Sequence, residues 1–104
     1  MITREFAVFH LSKKPLREFW EKHNEAKAAL QAWYEDALRT EWRTPQEVKR
    51  RYGNASIIAD NRVIFNIKGN DYRLVVKVHY DRGQIYIRFV GTHRAYDEID
   101  AEII

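Results

Sequence analysis

The feature that most constrains the fold is a change of hydrophobic period near Ser56. Before this point, apolar residues recur three and four positions apart, as they do on one side of an α-helix. After it, apolar and polar residues alternate, as in a strand with one buried face. A helical half followed by a stranded half predicts an α+β fold in which helices cover one face of a sheet. We expect residues 1–104 to form one domain, because 104 residues leave little room for a second core.

The helical half predicts a hairpin of two helices followed by a short third helix. Pro15 suits the first turn of the first helix, and Asn24 separates this helix from a second apolar stripe over residues 26–42. Thr44 and Pro45 mark the start of the third helix, because a hydroxyl can cap free backbone donors and proline fits the first helical position.

The stranded half predicts an antiparallel meander of three strands. Gly69-Asn70 is typical of a two-residue hairpin turn, and residues 81–83 form a second turn signal. Residues 1–8 alternate weakly and predict a short first strand, and Thr92 can cap a last helix from His93 to about Asp100. One face of the meander is apolar and is expected to pack on the helices; it carries Val63, Phe65, Ile67, Leu74, Val76, Val78, Ile85, Ile87 and Phe89.

The opposite face of the sheet is expected to be uncovered and rich in cations. Its strand interiors contain no carboxylate, which suits phosphate groups, and an aromatic ring among the cations could stack on a base. The alternative is that a solvated sheet face is polar by default and that lysine and arginine protect edge strands. The residues that alternation places on this face are Asn66, Lys68, Arg73, Lys77, His79, Tyr86 and Arg88.

Two further candidates follow the last strand. His93 would begin the last helix, where the positive end of the helix dipole disfavours an imidazolium, so that a neutral ring could accept a proton. Tyr96 lies three residues later on the same helix face. In the alternative interpretation His93 supports the helix cap and Tyr96 packs between helix and sheet.

Composition narrows the classes of function. The net charge of +3 is a weak indication of a polyanionic partner. The chain has no cysteine, so disulfides are excluded and a structural zinc site is not expected. No apolar run approaches the roughly 20 residues of a membrane helix, and no secretory segment is recognisable, so we expect a cytoplasmic protein without membrane contact.

Two long motifs in the stranded half resemble a known family. Residues 62–75 read RVIFNIKGNDYRLV, and residues 86–93 read YIRFVGTH, followed by Tyr96-Asp97. Both are similar to the HigB family, toxins of type II toxin–antitoxin systems within the RelE-like superfamily. The helix that contains Leu16, Phe19 and Trp20 and the pair Trp33-Tyr34 also resemble the family, so the likeness spans nearly the whole chain.

The resemblance implies a RelE-like fold and a metal-independent endoribonuclease that needs no cofactor. It implies cleavage of mRNA, commonly on the translating ribosome, by attack of the ribose 2′-hydroxyl on the adjacent phosphodiester. It also implies neutralisation by a HigA-type antitoxin with a helix-turn-helix DNA-binding domain. A binding protein that blocks translation on RNA or the ribosome without cleavage is the alternative, since phosphate contacts need no catalysis.

The resemblance also suggests roles for individual residues. Arg73 matches the arginine of the "YRLV" motif and would clamp the phosphate, His93 would act as acid or base, and Tyr96 would be a base or a stacking group. RelE itself carries paired lysines before the hairpin, where this chain reads Ile64-Phe65-Asn66, so the cationic partner would be Lys68 or Lys77. The expected catalytic residues are Arg73, His93, Tyr96 and Arg88, and the expected RNA-binding residues are Asn66, Lys68, Lys77 and Tyr86.

Overall fold

The structure is a computed structural model that describes Val8 and residues 10–104. The strand predicted over residues 1–8 therefore lies outside the described residues, apart from Val8. The helices are α1 (Lys14–Lys22), α2 (Lys27–Arg39), α3 (Pro45–Arg51) and α4 (His93–Tyr96), and the strands are β1 (Ser56–Ile58), β2 (Arg62–Ile67), β3 (Tyr72–His79) and β4 (Gln84–Thr92).

The helix boundaries follow the predicted signals. Pro15 lies in the first turn of α1, and a 3₁₀ turn over Asn24–Ala26 separates α1 from α2, which confirms the predicted break. The Thr44 hydroxyl accepts a hydrogen bond from the backbone N–H of Glu47 at 3.1 Å, which confirms the cap of α3. Among the described residues, no helix has the length and apolar character needed to cross a bilayer.

The sheet has the order β1-β2-β3-β4, and each neighbouring pair is antiparallel. His10 adds a parallel bridge to Gln84 at the outer edge of β4, where the Ile85 N–H donates to the His10 carbonyl at 2.8 Å. The main core lies between the helices and one face of this sheet, which confirms the α+β arrangement and its compatibility with a RelE-like fold. Its fully buried members include Leu16, Leu30, Val63, Leu74, Val76 and Ile85.

A β-bulge in β4 changes one predicted face. Val76 pairs with Ile87 but Val75 pairs with Phe89, so Arg88 is an extra residue on β4. The bulge reverses the alternation, because one inserted residue exchanges the faces of everything after it. Placing Phe89 on the helix-covered face was therefore wrong: Phe89 packs with Val75 on the opposite face.

The hairpin between β2 and β3 also differs from the prediction. Ile67 pairs with Tyr72, so the connection has four residues, and positive φ occurs at Lys68 (54°) and Gly69 (65°) rather than at Gly69 and Asn70. Lys68 thus belongs to the turn and not to the strand face, because its left-handed backbone ends β2. Its ammonium lies 3.4 Å from the Asp71 carboxylate.

The sheet face opposite the helices is only partly open, which corrects the expectation of an uncovered face. The chain turns after Tyr96, so α4 is shorter than the predicted helix to about Asp100. The segment that follows lays Ala101 and Ile104 against an apolar cluster of Ile64, Val75 and Phe89. Apolar side chains on this face provide the reason, since burying them removes their surface from water.

Candidate functional site

Polar and charged side chains on the open face form two groups, one at each end of the apolar cluster. We call the first the Arg73 site (Asn66, Arg73 and Tyr96) and the second the Tyr86 groove (Lys77, His79, Arg82, Gln84, Tyr86 and Arg88). Arg73 and Lys77 are four residues apart on β3, and roughly 3.3 Å per residue separates the two groups by about 13 Å along the strand.

Arg73 lies near the start of β3, between β2 and β4, at one end of the sheet. It pairs with Asn66 on β2 and with Gly91 on β4. Its guanidinium carbon lies 5.8 Å from the centre of the Tyr96 ring, and its Nη1 donates to the Asn70 carbonyl at 3.3 Å. No carboxylate of the described residues forms an ion pair with Arg73. The guanidinium is therefore oriented by an aromatic ring and keeps donors for an anionic ligand.

Gly91 allows an aromatic ring to lie beside Arg73. A Cβ atom at position 91 would come within 2.6 Å of Cζ of Phe89, closer than two carbon atoms can approach. The ring of Phe89 thus lies over the backbone of Gly91, and its centre is 6.2 Å from that of Tyr96. The bulge at Arg88 makes this possible, because it brings Phe89 and Gly91 to the open face together.

His93 lies at the same end of the sheet, at the start of α4. The Thr92 hydroxyl accepts a hydrogen bond from the backbone N–H of Ala95 at 3.0 Å, which confirms the predicted cap. The imidazole is half-exposed, and its Nδ1 lies 3.5 Å from a carboxylate oxygen of Asp97. The backbone N–H of His93 donates to the Asp71 carbonyl at 3.1 Å and ties α4 to the hairpin.

A buried tyrosine anchors β3 behind the Arg73 site. Tyr72 precedes Arg73 and points to the helices, where its hydroxyl donates to the Glu25 carboxylate at 2.5 Å. That hydrogen bond, with desolvation of the phenol, raises the pKa of Tyr72 to about 12. The same contact lowers the pKa of the Glu25 carboxyl, because it stabilises the charged form. The bond holds the start of β3 against the helical layer and so fixes the strand that carries Arg73.

The Tyr86 groove has a volume of about 310 Å³ and no acidic residue in its lining. Lys77 pairs with Tyr86 across the strands, and Arg88 reaches the groove from the bulge. The Tyr86 hydroxyl donates to the side-chain oxygen of Gln84 at 3.3 Å. Arg88 donates from Nε to the main-chain oxygen of Ile104 at 3.3 Å.

Acidic residues approach this groove only from outside its lining. The Lys77 ammonium lies 3.6 Å from a carboxylate oxygen of Asp60, which the buried Arg62 also contacts at 2.8 Å. The hydrogen bond from Arg62, followed by the charge of Lys77, lowers the pKa of the Asp60 carboxyl. Asp60 is thus held mainly by Arg62, which also donates to the main-chain oxygen of Ile104 at 2.9 Å.

His10 is a member of this region that sequence reasoning missed. Its ring centre lies 4.7 Å from that of Tyr86 at an angle of 36°, and the His79 ring meets Tyr86 edge-on at 5.4 Å. The bridge between His10 and Gln84 creates the contact. No local pattern indicates it, because the two bridged residues are far apart in the chain.

The predicted site residues thus lie in separate parts of the structure. Arg73, Asn66 and Tyr96 come together, with His93 at the same end of the sheet, whereas Lys68 lies in the hairpin turn. Lys77, Tyr86 and Arg88 belong to the other end, together with His79, which alternation had also placed on this face. The catalytic and RNA-binding roles of these residues stay predictions.

Comparisons with known proteins identify the family. The profile of the HigB toxin family, described as the RelE-like toxic component of a toxin–antitoxin system, matches residues 26–99. The chain is 28% identical over 89 residues to the mRNA interferase toxin HigB of Escherichia coli K12, covering 84% of this chain and 86% of that protein. It is 21% identical over 91 residues to the mRNA interferase HigB of Escherichia coli O6:H1, covering 86% of this chain and 88% of the relative. Because the family profile matches residues 26–99, well over half of the chain, this protein belongs to the HigB toxin family.

Proposed function

We propose that this chain is the toxin of a type II toxin–antitoxin pair and a metal-independent endoribonuclease that cleaves mRNA. Membership of the HigB family supports the toxin role, and the relatives named mRNA interferase support the reaction. The observation that carries the proposal is the Arg73 guanidinium, held by Tyr96 on an open sheet face without a carboxylate partner among the described residues. Such a group is suited to a phosphodiester.

The reaction is an internal transfer of the phosphoryl group. The ribose 2′-oxygen attacks the adjacent phosphorus and gives its proton to a base, while the bond from phosphorus to the 5′-oxygen breaks. The 5′-oxygen takes up a proton, so the products are a 2′,3′-cyclic phosphate and a 5′-hydroxyl end. The protein has to remove one proton, supply another and stabilise the charge on the pentacovalent phosphorane.

The Arg73 site and His93 beside it would divide these tasks, with cations elsewhere on the sheet face in support. Arg73 would bind the non-bridging oxygens, whose negative charge grows in the transition state. His93 would transfer a proton as acid or base, and Tyr96 would act as a base or stack on a nucleotide. Asn66 would donate a hydrogen bond to the RNA, and Arg88, Lys68 and Lys77 would add positive potential along the path of the strand.

Membership of the family supports the partners that we propose. We propose a HigA-type antitoxin with a helix-turn-helix domain as the neutralising partner, and mRNA on the translating ribosome as the substrate in the cytoplasm. The alternative without cleavage is a protein that blocks translation by binding RNA or the ribosome.

Expression without the antitoxin, followed by primer extension on cellular mRNA, tests the proposal. A nuclease creates new RNA ends that carry 5′-hydroxyl groups, and these ends should disappear in the Arg73→Ala variant. Growth arrest without new ends would favour the binding alternative and refute cleavage. Reactions with free RNA and with translating ribosomes then measure ribosome dependence.

The role of His93 is tested by the pH dependence of cleavage. Replacement of His93 by alanine should remove one limb of the pH–rate profile, since a general acid or base sets that limb. An unaltered profile would exclude His93 from proton transfer.

A further inference from the structure

We propose that the Tyr86 groove is a second RNA subsite, which binds nucleotides of the same strand away from the scissile bond. In this subsite a base stacks on the His10–Tyr86 ring pair, and Lys77, Arg82 and Arg88 bind phosphates. The inference rests on the proposed function insofar as RNA is the substrate. The groove would contribute affinity and fix the position of the RNA strand, whereas the chemistry takes place at the Arg73 site.

Charge is the first argument for a polyanionic occupant. The lining contains three cations and three groups that can be neutral donors, but no carboxylate. Arg82 has a contact at 3.8 Å with Asp81, and both side chains are largely exposed. A surface ion pair of this kind contributes about 0–1 kcal/mol, so a phosphate can replace the carboxylate at little cost. Arg88 donates to the main-chain oxygen of Ile104 and forms no ion pair with a side-chain carboxylate among the described residues.

Aromatic rings are the second argument, and they favour a single strand over a duplex. His10 is exposed and Tyr86 half-buried, and their rings lie 4.7 Å apart at an angle of 36°, so the pair offers accessible ring surface. Unstacked bases bind such surfaces, whereas the bases of a duplex already stack on one another. The hydrogen bond from Tyr86 to Gln84 and the edge contact with His79 hold the tyrosine ring in place before RNA binds. A preoriented ring loses less side-chain entropy on binding.

Spacing is the third argument, because it allows one strand to reach both places. The separation of about 13 Å along β3 equals roughly four nucleotides at about 3.4 Å per stacked nucleotide, and fewer in an extended strand. The half-buried ring of Phe89 lies between the two places, in the apolar cluster on which Ala101 and Ile104 also pack. A strand whose scissile phosphate lies at Arg73 would therefore place a nearby nucleotide in the groove.

Binding and cleavage have to be measured separately to test this subsite. A short, fluorescently labelled RNA with 2′-O-methyl groups cannot be cleaved, because it lacks the attacking hydroxyl, and it reports affinity by anisotropy. Tyr86→Leu should weaken this affinity roughly tenfold, since one base–aromatic stack is worth about 1–3 kcal/mol. Tyr86→Phe should retain most of the affinity, because the ring remains.

A charge variant and a matched control complete the design. Arg82→Gln should reduce the slope of log affinity against log salt by about one, the effect of one lost phosphate contact. Arg17→Gln removes the same charge from an exposed position on α1 and should leave the affinity and the slope at wild-type values. On cleavable RNA, Tyr86→Leu should raise KM and leave kcat near the wild-type value. Thermal unfolding verifies that each variant is folded.

Several outcomes would overturn the subsite. Wild-type affinity and salt dependence in both Tyr86→Leu and Arg82→Gln would show that RNA does not occupy the groove. A lower kcat with unchanged affinity would make the groove the reaction centre. Groove variants that keep RNA affinity but lose affinity for the antitoxin would make it a protein interface.

The failure of the proposed function gives a different result. If the wild-type protein binds the methylated RNA in a Tyr86-dependent manner but does not cleave unmodified RNA, the nuclease proposal is wrong and the subsite stands.

Discussion

Replacing Arg73 by alanine should abolish most RNA cleavage while leaving the fold intact. Among the described residues, the Arg73 guanidinium makes one main-chain hydrogen bond, to Asn70 at 3.3 Å, and one ring contact, to Tyr96 at 5.8 Å. It has no carboxylate partner among the described residues, so its removal leaves no buried charge uncompensated. The loss in stability is therefore small compared with the loss in catalysis.

These contacts determine how large the two losses should be. A net hydrogen bond contributes about 0.5–1.5 kcal/mol and an exposed cation–π contact about 0.5–1 kcal/mol, so the free energy of unfolding should fall by roughly 1–2.5 kcal/mol. Loss of a donor to the transition state lowers kcat by roughly 10²-fold or more, equivalent to about 2.7 kcal/mol. The kcat of the Arg73→Lys variant should lie between those of wild type and Arg73→Ala, because lysine keeps the charge but not the planar guanidinium.

Single-turnover cleavage of a synthetic RNA with protein in excess measures the chemical step, and urea unfolding measures the stability. Arg17→Ala, at an exposed position on α1, is the matched control and should change neither quantity. If Arg73→Ala, folded as judged by its unfolding curve, cleaved saturating RNA as fast as wild type, the assignment of Arg73 as the phosphate clamp would be refuted. A loss of rate fully explained by unfolding would refute it equally.

Two further predictions concern the helical layer, and a third concerns Gly91 beside the Arg73 site. Burial raises the pKa of Asp36, but hydrogen bonds, including one from Tyr52 at 2.6 Å, lower it overall. The free energy of unfolding should therefore fall as the pH drops below about 4. Asp36→Asn should weaken this pH dependence in urea titrations and lower the stability by about 1–3 kcal/mol at neutral pH. Burial, followed by the hydrogen bond to Asp36, raises the pKa of Tyr52 to about 12. Tyr52→Phe should therefore remove a tyrosine ionisation near pH 12 from an absorbance titration, and loss of an ionisation near pH 10 instead would contradict this. Gly91→Ala should displace the Phe89 ring, reduce cleavage and destabilise the fold by about 1–3 kcal/mol. Gly53→Ala is the control and should match wild type, because nothing lies within 4 Å of the new methyl group. Equal effects of the two substitutions would exclude the steric explanation.

Strand alternation was enough to predict most of the sheet. Val63, Leu74 and Ile85 lie on the helix-covered face, and Arg73 and Lys77 lie on the other, because consecutive side chains point to opposite sides of a strand. The helix caps at Thr44 and Thr92 could also be predicted from the sequence, because the bond between a side-chain oxygen and a nearby free N–H is a local interaction. The family motifs added the assignment to HigB toxins.

Errors occurred where a local rule was interrupted. The bulge at Arg88 moved Phe89 to the open face, and the positive φ of Lys68 removed that lysine from β2. Neither is visible in the order of apolar residues, because a bulge is fixed by how two strands pair and a turn by the register of its hairpin.

Sequence alone determined which chemical groups this chain can present: the helical and stranded halves, the caps, and a cationic sheet face with Arg73 on it. Tertiary structure alone decided how these groups are divided. It joined His10 to Tyr86 through strand pairing, and it placed Ala101 and Ile104 over the apolar cluster between the Arg73 site and the Tyr86 groove. The physical reason is range: periodicity and capping act over a few residues, whereas pairing and burial join residues far apart in the chain.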